Sequence, residues 1–102
     1  MSTVFTYLTG LQNKVFKLLP MREAHDRGDE NHLYEYLDNL QSNYKGAFLC
    51  YPELSKNIAL VEVQNNIAFL NGNRDIDFKK WRSIVLRSTR LLNSIIEEYK
   101  EV

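Results

Sequence analysis

Residues Leu33–Tyr51 read LYEYLDNLQSNYKGAFLCY. Within them Leu33, Leu37, Leu40, Tyr44, Ala47 and Tyr51 recur at steps of four, three, four, three and four. Such spacing follows the turn of an α-helix and puts the six side chains on one face. Upstream, Asp29 reads as the N-cap, with Glu30 favourable in the first turn. Downstream, Pro52 closes the segment, because the residue before a proline avoids helical dihedrals. Gly46 lies inside, where it weakens the helix and allows a close approach by another. Cys50, the one cysteine of the chain, falls in the apolar run AFLCY and reads as a small buried hydrophobe.

The same pattern extends in both directions. Val4, Leu8, Leu11, Val15 and Leu18 form an earlier stripe, with Ser2 or Thr3 to cap it. Pro20 ends or kinks that helix, since it lacks an amide donor and collides with the preceding turn. One or two further turns then run to Gly28, a natural left-handed stop. Leu60, Val63, Ile67 and Leu70 predict a third helix from about Glu53 to Asn71, with Asn71–Asn73 as its C-cap and turn. Its NIALVEV also alternates like a strand, but a lone strand would have no partner in this chain. The last helix starts after Asp75 or Asp77 and carries Phe78, Trp81, Val85, Ser88, Leu92, Ile95 and Tyr99. Ile84, Leu91 and Ile96 widen that stripe, which implies burial on two sides. The expectation is all-α: a single-domain antiparallel four-helix bundle over residues 1–102, its first helix kinked or broken at Pro20.

Composition narrows the function classes. A 44% hydrophobic share supports a real core and argues against disorder. Thirteen basic and thirteen acidic residues cancel, so the whole-chain field gives no pull toward nucleic acid or an anionic membrane. No secretory leader or membrane span is legible, and a single cysteine permits no intrachain disulfide. We therefore expect a soluble cytoplasmic protein with no cofactor and no membrane contact.

The densest chemistry is in MREAHDRGDENHL, residues 21–33. His25, Asp26, Asp29, Glu30 and His32 are all competent metal ligands, and His25, Asp29 and His32 are the candidates for such a site. The seven-residue step between the histidines is not the three or four that shares a helical face. Arg27 and His32 bracket RGDENH, a spacing that resembles the R-x4-6-H signature of the HEPN ribonucleases, which are also helical bundles. The resemblance implies metal-independent RNA cleavage, usually in a dimer that joins two such motifs, with Arg27 and His32 as the carried-over residues. Here Gly28 stands where that family has a polar residue, and the motif spans a turn instead of lying on a helix. A capping turn accounts for the same residues: Arg27 ends one helical piece, Gly28 reverses the chain and Asp29 caps the next.

Charge is segregated along the chain. Six acids and one base, Arg27, lie between Glu23 and Asp38. Between Lys79 and Arg90 stand Lys79, Lys80, Arg82, Arg87 and Arg90 with no acid among them. At about 100° per residue these five spread over one broad face of the last helix. That face either pairs with the acidic second helix or meets an acidic protein or a phosphate backbone. Tyr34 and Tyr36 are further surface candidates, because tyrosine joins a large apolar body to one polar tip. No nucleophile–base pair, phosphate loop or cofactor motif is present. The expected function is a non-enzymatic regulatory module acting through protein contacts, a homodimer included. Small helical inhibitors, immunity proteins and accessory proteins share this profile.

Overall fold

The computed structural model describes residues 3–29 and 32–100. Its elements are α1 (Thr3–Phe16), α2 (Leu18–Asp26), α3 (Leu33–Cys50), a 3-10 turn (Pro52–Lys56), α4 (Ile58–Gly72) and α5 (Phe78–Tyr99). The first two are limbs of one bent helix, so four helices pack as a bundle measuring 44 × 24 × 20 Å. Ser2 and Glu30, considered above as a cap and a first-turn acid, lie outside the described residues.

The bend falls at Lys17, one turn before Pro20. Proline 20 has no amide to offer the Phe16 carbonyl, and its ring pushes that carbonyl away. Lys17 nevertheless keeps helical dihedrals, φ −64° and ψ −18°. Its amide donates to the Asn13 carbonyl at 3.3 Å, and the Met21 amide to the Lys17 carbonyl at 3.2 Å. The hydrogen-bond ladder thus crosses the bend and Leu18 stays fully buried.

The end of α2 is a Schellman motif. Gly28 takes φ +89°, its amide donates to the His25 carbonyl at 3.0 Å, and the Asp29 amide donates to Ala24 at 2.9 Å. Asp29 therefore finishes α2 and does not cap α3, as the sequence had suggested. The residue flanking α3 is His32, in a left-handed conformation (φ 55°) with no side-chain cap. The third helix also differs from expectation: it starts at Ile58, not Glu53. Pro52–Lys56 winds into a 3-10 turn that buries Leu54, and Asn57 accepts from the Leu60 amide at 3.1 Å, a stronger start signal than Glu53. NIALVEV is helical. Asp77 caps α5, accepting from the Lys80 amide at 2.8 Å.

All four stripes meet in one core. Leu8, Leu11, Val15, Leu33, Leu37, Leu40, Tyr44, Leu60, Val63, Ile67, Leu70, Trp81, Val85, Leu92 and Ile95 are essentially inaccessible to solvent. Cross-helix bonds show the antiparallel order. The Tyr7 hydroxyl donates to the Asn43 carbonyl at 2.6 Å and that of Tyr36 to Lys14 at 2.7 Å, so α3 runs against α1. Asn57 donates to Glu98 at 3.3 Å and Asn66 to Ser88 at 3.1 Å, which sets α4 against α5. Gln12 reaches the Thr89 carbonyl at 3.2 Å and closes α5 onto α1. Cys50 is exposed, contrary to the sequence reading. The run AFLCY wraps around the helix end: Ala47 is buried, Phe48 and Tyr51 (just past the last turn) pack partly buried against the core, and Leu49 is left 83% exposed.

Burial lifts the Tyr7 and Tyr36 hydroxyls above the ordinary phenolic range, and Tyr44 far above it. Tyr44 differs from the other two because its buried hydroxyl has no hydrogen-bond partner among the described residues. Removing a satisfied hydroxyl, as in Tyr36→Phe, should cost about 1 kcal/mol in denaturant unfolding, while Tyr44→Phe should be neutral or stabilising. A phenol with a raised folded-state pKa keeps its full stability below the unfolded value of about 10 and loses it as pH climbs further. Wild type should therefore unfold in the alkaline range, and Tyr44→Phe should move that midpoint to higher pH in a circular dichroism titration.

Candidate functional site

The buried charge among the described residues is Arg22, which sequence reasoning passed over. Its side chain is 8% exposed. Nε donates to both carboxylate oxygens of Asp26 at 2.9 and 3.0 Å, one helical turn on. Nη2 donates to the Ile76 carbonyl at 2.7 Å, and the guanidinium lies 4.9 Å from the Trp81 ring centre. One side chain thus ties α2 to the α4–α5 connection and to the first turn of α5. Nη1 of Arg22 and the indole Nε1 of Trp81 are buried without partners among the described residues. A signal did exist: Arg22 continues the stripe Leu11, Val15, Leu18 by one more step of four, and Asp26 follows at i+4.

Around the α2–α3 turn, His25, Asp29 and His32 line one open cleft of about 540 Å3 with Tyr34 and Glu35. The His25 ring meets Tyr34 edge-on, with centres 5.3 Å apart and planes at 86°. On Tyr34 also lies the Arg74 guanidinium, 4.0 Å from the ring centre. Tyr34 is thereby held by its own chain, as is the hydroxyl of Tyr36. Arg27 pairs with Asp29 at 3.4 Å, and His32 Nδ1 lies 3.4 Å from Glu35, so the two residues of the ribonuclease-like spacing engage separate carboxylates. Both side chains are more than half exposed. Among the described residues no three histidine, cysteine or acidic side chains converge on a metal position.

The basic stripe is on the outside of α5, opposite Trp81, Val85, Ser88 and Leu92. Lys79, Lys80, Arg82, Arg87 and Arg90 are all exposed. Arg87 pairs with Glu62 of α4, which holds its guanidinium even further above the usual range. The pairing helix is therefore α4 and not the acidic second helix, because α5 packs on α1 and α4. Lys80 sits 5.6 Å from the centre of the Phe69 ring. Lys79, Arg82 and Arg90 make no ion pair with any described residue. On the acidic side Asp26, Asp29 and Asp38 are engaged by Arg22, Arg27 and Asn71. No described helix is long and apolar enough to cross a membrane.

No protein-family model, curated protein or solved structure matches the chain.

The contrast between buried Arg22 and the exposed turn residues is measurable. Arg22→Ala removes the guanidinium from Asp26, Ile76 and Trp81 at once and should lower unfolding free energy by about 2–3 kcal/mol. Because the Asp26 carboxylate is 43% exposed and can rehydrate, the loss stays at the low end for a buried pair. Arg27→Ala and His32→Ala should leave the urea midpoint within error of wild type.

Proposed function

We propose that this chain is a non-enzymatic helical binding module that works by protein–protein contact through the outer face of α5. The observation that carries this reading is the set of exposed cations Lys79, Arg82 and Arg90, none ion-paired with a described residue. They stand on a 22-residue helix whose other face is locked in the core, so their spacing is fixed before any partner arrives. Three exposed cations with no ion pair among the described residues suit an acidic protein surface. A nucleic-acid binder usually neutralises more phosphates and carries net positive charge, whereas this chain is neutral. Acting as an inhibitor, immunity or accessory protein, the module covers a partner's acidic surface; a second copy of the chain is a partner of the same kind. One exposed cysteine and no disulfide fit a reducing, cytoplasmic setting.

The double variant Lys79→Glu/Arg82→Glu tests the proposal. Cross-linked partner proteins recovered from the native host with wild type should drop about tenfold with the variant, and recovery should fall as salt rises. Equal recovery by both forms, or recovery of nucleic acid in place of protein, would remove the proposal. Circular dichroism of the variant should match wild type, since both side chains are exposed.

A further inference from the structure

Where α1 and α5 pack side by side they leave a groove of about 440 Å3, lined by Gln12, Phe16, Thr89, Arg90 and Asn93. Its floor is fixed, because Gln12 donates across it to the Thr89 carbonyl at 3.2 Å. Phe16 is 45% exposed at its edge. Two strong donors face solvent there: neither the Arg90 guanidinium nor the Asn93 amide bonds to any described residue. Among the described residues no acid lines the groove; along α5 the first one is Glu97, a full turn beyond Asn93. Arg82 and Lys79 continue the positive charge toward the start of the helix. An exposed ring beside a planar fork of donors matches a ligand with a carboxylate next to an apolar side chain.

We infer that this groove seats an acidic peptide segment of the partner protein. A glutamate or aspartate carboxylate sits on Arg90 with Asn93 as the second donor, and an adjacent apolar side chain covers Phe16. The inference rests on the binding-module reading and names the chemistry that module recognises. Charge complementarity selects an acidic segment, and the aromatic edge selects one that also carries a hydrophobic residue. A nucleic acid would have to bring its phosphates to a face with few free cations on a neutral chain, which the same geometry favours less.

The full chain, labelled with 15N, is titrated with the peptide acetyl-Glu-Glu-Leu-Glu-Glu-amide and with its glutamine counterpart acetyl-Gln-Gln-Leu-Gln-Gln-amide. Amide shifts should move at Gln12, Phe16, Thr89, Arg90 and Asn93. The apparent affinity should be about fivefold weaker for the glutamine peptide and for Arg90→Gln, the loss of roughly one charge-assisted contact. Phe16→Ala should weaken binding of both peptides. The variants' own 15N spectra report whether each is folded. Silence at millimolar acidic peptide, shifts scattered over the surface, or equal response to both peptides would overturn the inference. So would tighter binding of oligouridine at these residues. If Lys79→Glu/Arg82→Glu still loses its partner while the groove ignores the peptide, the docking face survives and this groove assignment does not.

Discussion

Helix α5 must bury a wide stripe against two neighbours while its remaining face stays wet, and the other helices are arranged around that requirement. Trp81, Val85, Ser88, Leu92, Ile95 and Ile96 occupy the buried arc, with Thr89 on the α1 side. An arc this broad cannot be covered by one helix, so α1 takes one flank and α4 the other. The stripe includes a serine and a threonine, which are tolerated because each bonds within its own helix: Ser88 to the Ile84 carbonyl and Thr89 to that of Leu86, both at 2.8 Å. What remains outside is the cationic face. The placement of the proposed docking surface is thus a consequence of core packing, and the two cannot be altered independently.

Arg22 shows a second use of charge. It enters the bundle on the bent limb α2 and clamps the chain just before α5 begins, through a carbonyl and an indole ring. The clamp leaves the Arg22 Nη1 and the Trp81 indole N–H without a partner among the described residues. Such a group adds less to stability than an apolar replacement could, but its bonds to Asp26 and the Ile76 carbonyl are directional and hold α2 against the connection that leads into α5. The tyrosines act similarly between α1 and α3. Tyr7 and Tyr36 reach across to backbone carbonyls with their tips while their rings cover the core edge.

Much of this fold was legible in the sequence because periodic burial dominates it. Of the six-residue stripe, Leu33, Leu37, Leu40, Tyr44 and Ala47 are buried as their spacing required, while Tyr51 falls just past the helix end and is only partly buried; Val4, Leu8, Leu11, Val15 and Leu18 are buried too. Local errors came from turn chemistry. Asp29 has an N-cap's side chain, but its amide had already been recruited to finish α2. Glu53 lost to Asn57 because Pro52 shaped the intervening residues into a 3-10 turn. Cys50 was misplaced by judging an apolar run without its angle on the helix. Site residues were harder. The basic face could be read from Lys79 to Arg90, but which cations would be taken up internally depended on Glu62 and Phe69, distant in sequence. Arg74 on Tyr34 and Arg22 on Trp81 are tertiary contacts with no local signature beyond the step of four at Arg22.

If shared burial of α5 organises the bundle, α5 cannot open alone. Native-state hydrogen exchange under increasing denaturant measures this directly. The amides of Val85, Thr89 and Leu92 should exchange at the same free energy as Leu11 in α1, Leu37 in α3 and Val63 in α4, the value for global unfolding. Exchange of α5 at a markedly lower opening energy than the other three helices would contradict the account.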